Sequence, residues 1–173
     1  MHGSDAASNP ELITNAADRE FSSDTGFWTK GGSNPPTIAN GVCNIACAAG
    51  GDSYIQRLGI LQVGKVYKFT YSVKRNSAGS FNLFAFPTIL LDSAVGDNKV
   101  VYFIAGTTAF ILGRRSGATD IDVDDYSLKE CGWADSQAIY DYYISVGKST
   151  LEATKAAAMW CKYNNSDDTA AVS

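Results

Sequence analysis

Four aspartates, Asp120, Asp122, Asp124 and Asp125, form the densest group of chemically active side chains in this sequence, within TDIDVDDYSLKE at positions 119–130. Clustered carboxylates suit a hard cation such as Ca²⁺, which binds oxygen ligands. An EF-hand loop is excluded, because the sixth position counted from Asp120 is Asp125 rather than glycine and the twelfth is Cys131 rather than glutamate. The alternative is a solvated edge strand protected by its charges.

The sequence does not contain the combinations of catalytic side chains that common hydrolases use. The only histidine, His2, stands in the opening MHGSDAAS, so a serine or cysteine nucleophile lacks a histidine base elsewhere in the chain. Glycoside hydrolysis needs two carboxylates about 5–10 Å apart, and the sequence singles out no such pair. The glycine pairs at 31–32 and 50–51 precede no GK[ST], as a phosphate loop requires. The sequence predicts that the protein is not an enzyme, and calcium is the one cofactor it suggests.

Composition narrows the class of partner. The formal charge of −4 argues against a protein that wraps nucleic acid, which needs clustered Lys and Arg. No apolar run approaches the roughly 20 residues that span a bilayer, so no membrane partner is expected. Residues 1–10 carry no hydrophobic signal-peptide region and are interpreted as a leader or a vector-derived scar.

Four cysteines raise the question of disulfides. Cys43 and Cys47 lie four residues apart on one predicted strand, so their Cα atoms would be roughly 13 Å apart, too far for a bond. Cys131 and Cys161 could pair, but the spacing is not that of a disulfide framework. Buried free thiols are the preferred interpretation.

The elements that would position these side chains are mostly strands. Short apolar stretches alternate with Gly, Asn, Ser and Pro, as in an all-β sandwich. The predicted strands are 11–14, 27–30, 41–48, 54–61, 66–74, 80–86, 99–105, 109–114 and 121–128. Within 66–74 strict alternation predicts a core face of Tyr67, Phe69, Tyr71 and Val73 and a solvent face of Lys68, Thr70, Ser72 and Lys74. Residues 76–79 (NSAG) are predicted to form a hairpin turn.

The pattern becomes helical after Cys131. Ile139, Tyr142, Tyr143 and Val146 have helical spacing within 134–146, and Gly147 is the expected stop. Residues 149–152 (STLE) form a capping box that opens a second helix through about residue 163. The fold class is therefore mainly β: a two-sheet antiparallel β-sandwich over 11–130, then a short α-helical hairpin, with 131–173 an appendage or a linker to a further domain.

Three phrases give the sandwich a family likeness. They are residues 54–74 (YIQRLGILQVGKVYKFTYSVK), Leu12-Ile13-Thr14-Asn15 through Trp28 before them, and Val123–Leu128 after them. These segments resemble the corresponding motifs of family 4/9-like carbohydrate-binding modules. The likeness covers about 120 residues and implies a jelly-roll sandwich. It departs from the family pattern after Asn15, where the first turn carries an insertion, and at Tyr126, which shifts the closing motif. Such divergent modules also occur in tailed-phage virion proteins.

The resemblance implies two kinds of site. Sugars in these modules stack on aromatic side chains beside polar strand residues, which here gives candidate ligand-binding residues Trp28, Tyr54, Lys68, Asn82, Phe84 and Arg114, with Tyr102 and Trp133 as further aromatics. For any single aromatic, burial in the core is the more common outcome. A calcium ion often ties the last strand to the first turn in such modules, which implicates Asp18, Glu20 and Asp125.

The sequence and the resemblance suggest two biological settings in which this protein would act. We expect a non-enzymatic, virion-associated phage module, in a tail fibre or as a capsid decoration, that mediates assembly or contact with host-surface glycans. Unpaired thiols favour this setting, since virions assemble in a reducing cytosol. The alternative is an extracellular carbohydrate-binding module of a secreted polysaccharide-degrading enzyme, or of an adhesin. A homo-oligomer is expected, with the helices contributing to the contact; the alternative is that the helices pack back on the sandwich. Residues 156–172 also resemble the start of a repeat domain of Bacteroidetes surface proteins, which implies that a further domain follows.

Overall fold

The computed structural model describes residues 9–115, 117–132 and 135–164, with the backbone alone described for 159–164. Its elements in chain order are α1 (Ala16–Arg19), β1 (Thr29–Gly31), β2 (Thr37–Ala39), β3 (Val42–Cys47), β4 (Asp52–Arg57), β5 (Val66–Ala78), β6 (Asn82–Phe84), β7 (Thr88–Leu90), β8 (Gly96–Ile104), β9 (Phe110–Arg115), β10 (Thr119–Glu130), α2 (Ser136–Ser145) and α3 (Thr150–Asn164).

Two antiparallel sheets of five strands face each other. Sheet I has the order β2-β3-β10-β5-β8, and sheet II has the order β1-β4-β9-β6-β7. The predicted fold class is confirmed: a mainly β sandwich followed by helices. The core lies between the sheets, where rings from both meet. Phe69 of sheet I stacks on Tyr71, with 5.2 Å between ring centroids, and meets Phe110 of sheet II edge-on at 5.1 Å.

The face assignment of β5 is largely confirmed. Tyr67, Phe69, Tyr71 and Val73 are buried, while Lys74 is exposed and Lys68 is half-buried. Ser72 was predicted to face solvent and is fully buried. Tyr71 and Val73 both face the core, so Ser72 keeps its predicted side. It is covered there by an irregularity of β8, where Tyr71 pairs with Lys99 and Val73 with Gly96, and its hydroxyl accepts the backbone N–H of Asn98 at 3.3 Å.

Several strand boundaries differ from the prediction. Residues 76–78 belong to β5 rather than to a turn, because Asn76 and Ala78 pair with Ile121 and Asp120 of β10. The chain turns at Gly79 instead, whose φ is +74°. Strands β2 and β7 were missed, and the predicted strand 11–14 reduces to one bridge, Glu11 to Lys129.

The first described residues are bound to the last strand. The Glu11 carboxylate accepts the N–H of Leu128 at 2.8 Å and the hydroxyl of Ser127 at 2.5 Å. The Leu12 N–H donates to the Leu128 carbonyl at 2.9 Å, and the Asn9 side chain donates to the Glu130 carbonyl at 2.5 Å. The opening phrase and the acidic last strand therefore close the sandwich together.

The helices follow their predicted local signals. The Ser149 hydroxyl accepts the Glu152 N–H at 3.2 Å, and the Glu152 carboxylate accepts the Ser149 N–H at 3.0 Å, which is the expected capping box. Gly147 ends α2 with a φ of +81°. Ile139 and Ala156 pack with Tyr102 and other residues at one end of the outer face of sheet I. No helix among the described residues has the length and apolar character to cross a membrane.

Three of the four cysteines are buried free thiols, as predicted. Cys43, Cys47 and Cys131 are free and buried. Burial raises the pKa of the Cys43 and Cys131 thiols well above the usual value for cysteine. These thiols are therefore protonated at neutral pH and inert as nucleophiles or ligands. The Cys161 side chain lies outside the described residues.

Candidate functional site

The outer face of sheet II brings together several polar and aromatic side chains. Cross-strand pairing sets Tyr54 of β4 opposite Gly113 of β9, and Gly113 opposite Asn82 of β6. One step along, Gln56 pairs with Ile111. We call the outward side chains of this region the Tyr54 face; its members are Tyr54, Gln56, Asn82, Phe84, Ile111 and Arg115.

Two glycines shape this face. A Cβ on Gly31 would lie 2.5 Å from a ring atom of Tyr54, so the Tyr54 ring rests directly against the backbone of β1. A Cβ on Gly113 would lie 2.2 Å from the Ser53 carbonyl oxygen, so β4 and β9 approach more closely here than a larger residue permits. Gly113 also leaves the floor between Tyr54 and Asn82 without a side chain.

Arg115 crosses the face above two rings. Its guanidinium carbon lies 5.3 Å from the Tyr54 ring centroid and 5.0 Å from that of Phe84. These distances are within the range of cation–π attraction. Phe84 is only 8% exposed beneath it, whereas Tyr54 is half-buried. Tyr54 is therefore the more exposed of the two rings.

Asp52 is the one carboxylate among the outward side chains of β4 and β9. It pairs with Arg115 across the strands, and its side chain accepts the Ser33 N–H at 2.6 Å. The hydrogen bonds from Ser33, together with the nearby Arg115 charge, hold the pKa of Asp52 below its usual value. Asp52 is therefore ionised at neutral pH.

Three of the predicted ligand-binding residues lie on the Tyr54 face, namely Tyr54, Asn82 and Phe84. Trp28 does not, and its assignment as a sugar platform is wrong: it is 3% exposed, contacts Tyr126 in the core, and its Nε1 donates to the Asp18 carbonyl at 2.9 Å. A buried indole needs such an acceptor. The ring is then unavailable to a ligand.

Lys68 and Arg114 are also separated from this face. Lys68 lies on sheet I, with its ammonium nitrogen 5.9 Å from the Tyr102 ring beside the helices. Arg114 pairs with the buried Ser53, on the opposite side of β9 from Arg115, and donates to the Ser80 hydroxyl at 3.1 Å. Tyr102 itself is 8% exposed, and Trp133 lies outside the described residues.

Sequence reasoning missed Gln56 and Arg115. The signal for Arg115 was present, because Phe110 and Leu112 are apolar at alternate positions of β9. Alternation places Arg114 on their side and Arg115 on the other. The assignment of Arg114 rather than Arg115 to a wet face overlooked this parity.

Two of the three predicted calcium ligands have other partners. Asp125 lies 3.0 Å from the Lys74 ammonium, and the buried Asp18 side chain accepts the Thr25 hydroxyl, while Glu20 is exposed. Asp124 carries a buried oxygen without a partner, and burial raises the pKa of its carboxyl. Within the described ranges, no three His, Cys, Asp or Glu side chains form a group that could hold a metal. Calcium stays a prediction.

That prediction has a direct test. A cation that binds the folded state alone adds about 2.7 kcal/mol at 100 times its Kd, so calcium is expected to raise the Tm by roughly 5–11 °C over EDTA. Asp125→Asn should abolish the shift. Asp97→Asn, which removes the other Lys74 partner at 2.7 Å, should preserve it. Equal melting in calcium and EDTA would remove calcium from consideration.

A concave region lies where the sandwich meets the helices. It is a groove of about 660 Å³ whose lining includes Leu90, Tyr102, Tyr142, Tyr143 and Val146. Leu90 and Val146 are 66% and 51% exposed. Burial raises the pKa of Tyr102, Tyr142 and Tyr143 to about 12, so their hydroxyls stay neutral.

The chain is similar to several carbohydrate-binding modules of known structure. The N-terminal cellulose-binding domain of Cellulomonas fimi β-1,4-glucanase C is 18% identical, with 64% of this chain and 92% of that chain covered and a TM-score of 0.41. The CBM22-1 xylan-binding domain of Paenibacillus barcinonensis Xyn10C is 12% identical, with 72% and 96% covered and a TM-score of 0.44. No protein family and no curated protein matches the sequence.

These likenesses have identities below 20% and TM-scores below 0.5. They carry no argument about what this chain binds, because a shared fold does not imply a shared ligand. Its function has to be inferred from its own surface.

Proposed function

We propose that this chain is a non-catalytic glycan-binding module whose ligand lies across the Tyr54 face. The observation that carries the proposal is the combination of a half-buried tyrosine ring on an open sheet face with two amide side chains, Gln56 and Asn82, around a glycine floor. A pyranose ring has apolar faces and hydroxyl groups at its edge. Such a surface offers it both a flat ring and hydrogen-bonding groups.

The charges of the face support binding rather than hydrolysis. A glycosidase uses two carboxylates, one of which carries a raised pKa so that it can donate a proton. Among the outward side chains of β4 and β9 only Asp52 is a carboxylate, and the pKa of Asp52 is lowered by Ser33. A lone ionised carboxylate provides no general acid.

The proposal is tested by binding of the purified chain to a panel of neutral and acidic polysaccharides, followed by titration with the best ligand. Tyr54→Ala is expected to weaken binding at least about tenfold, or roughly 1.4 kcal/mol, because it removes the central aromatic contact. Tyr140→Ala on α2, which removes a similar half-buried ring far from the sheet face, should leave affinity unchanged. Binding that is equally strong after Tyr54→Ala would place the ligand elsewhere.

Of the two settings, we favour the extracellular module of a polysaccharide-degrading enzyme or an adhesin, since a ligand-binding face is what such a module needs. The virion setting is the second candidate. The observation that favours it is the exposed apolar rim of the groove beside the helices, with Leu90 and Val146, where a homo-oligomer contact is expected. Buried thiols suit both settings, because they are out of contact with oxidants in either one.

A further inference from the structure

No described residue accepts a hydrogen bond from the Arg115 side chain. Arg75 is bound by Asp120 and Asp122, Arg114 donates to Ser80, and Arg57 donates to the Phe27 carbonyl at 3.2 Å. Arg115 is exposed. Within the described part of the chain its guanidinium forms neither a salt bridge nor a hydrogen bond, and its recorded contacts are the rings of Tyr54 and Phe84.

The rings hold this guanidinium in place. A guanidinium that lies over aromatic faces keeps its N–H groups free at its edges, in a planar fork that matches a carboxylate. The entropy of ordering a long side chain is therefore partly lost before any ligand arrives. The donors lie beside the glycine floor at Gly113, which is two residues from Arg115 on the same side of β9.

The neighbouring Asp52 does not occupy these donors. Its carboxylate is engaged by the Ser33 N–H at 2.6 Å, and it lies outside salt-bridge distance of Arg115 although near enough to feel its charge. Asp52 reduces the positive potential at the Tyr54 face but does not occupy the guanidinium donors of Arg115. The overall charge of −4 acts mostly from beyond the roughly 8 Å over which charges are felt at physiological salt.

We propose that the Tyr54 face selects acidic glycans, and that Arg115 determines this specificity by binding the carboxylate of a uronic acid while the sugar ring contacts Tyr54. This inference rests on the proposed function and adds to it the class of sugar. A neutral glycan would leave the guanidinium facing water, whereas a uronate provides the partner that its fork fits.

The test compares tetragalacturonic acid with its carboxyl-reduced counterpart, galactotetraose, by calorimetric titration of the full chain. The acid is expected to bind at least about tenfold more tightly. Arg115→Gln should lose that advantage, so that the acid and the neutral sugar bind this variant with similar affinity, and Arg115→Lys should keep part of the advantage. Lys148→Gln, which removes one exposed charge at the helices, is the matched control and should change neither affinity. Tm values verify folding of each variant.

The outcomes separate this inference from the function itself. Equal affinity for acid and neutral sugar, with Tyr54 still required, would overturn the acidic specificity and keep the glycan-binding face. An equal loss in Lys148→Gln would indicate general charge attraction and overturn the role of Arg115. A sulfated tetrasaccharide that binds as tightly as the uronate would overturn selection of a carboxylate. If none of these sugars binds and the polysaccharide panel is also negative, the proposed function fails with it.

Discussion

Phe69→Ala is expected to lower the free energy of unfolding by about 3–5 kcal/mol, the usual effect of removing a buried phenylalanine ring. Phe69 is fully buried and touches rings of both sheets, with centroids at 4.9 Å from Tyr126 and 5.1 Å from Phe110. Its loss leaves a cavity that rigid strands on either side cannot close. Urea unfolding followed by tryptophan fluorescence measures the change.

Phe86→Ala is the matched control, since the same ring is removed from a side chain that is 58% exposed. A change of about 0.5 kcal/mol or less is expected there. If Phe69→Ala were no more destabilising than Phe86→Ala, the two sheets would not meet at Phe69 and the inter-sheet packing described above would be incorrect.

Gly113→Ala is expected to destabilise the chain by about 3 kcal/mol, at the upper end for overpacking, and to weaken glycan binding as well. The added Cβ would lie 2.2 Å from the Ser53 carbonyl oxygen and 2.5 Å from the Tyr54 Cα. These are backbone atoms, so relief requires β4 and β9 to separate. The separation moves Tyr54 relative to Arg115 and so disrupts the binding face.

Gly96→Ala provides the comparison for a strand glycine. A Cβ at Gly96 would lie 3.5 Å from the end of the Lys99 side chain, an ordinary contact. Denaturant unfolding and ligand titration of both variants are measured together. A Gly113→Ala protein as stable as Gly96→Ala would show that the strands of sheet II are not so closely spaced at the face.

Local signals in the sequence predicted local structure well. Alternation identified the core positions Phe69 and Tyr71, and the capping box at Ser149 and Glu152 marked the start of α3. Each depends on residues a few positions apart. The exposure of Ser72 was predicted wrongly because an irregularity of β8, about 25 positions later in the chain, covers its side chain.

The candidate site was only partly predictable for the same reason. Tyr54, Asn82 and Phe84 were named from residue type, but their proximity results from the pairing of β4, β9 and β6, which no local pattern encodes. Trp28 has the side chain of a sugar platform, and only its burial against Tyr126 and Phe110 assigns it to the core. Arg115 could have been separated from Arg114 by parity, whereas its position over two rings required the fold.

The hydrogen bond from Asn9 to Glu130, with Glu11 bound at Leu128 and Ser127, has a mechanical consequence. Because the two ends of the segment 9–130 lie next to each other, the sandwich can be inserted in a longer polypeptide without increasing the distance between the segments that flank it. Tension applied through both ends would peel these contacts apart one at a time, as in unzipping, before it loads the ladders of either sheet. The Tyr54 face, built on the other sheet, would keep its shape while the attachment yields.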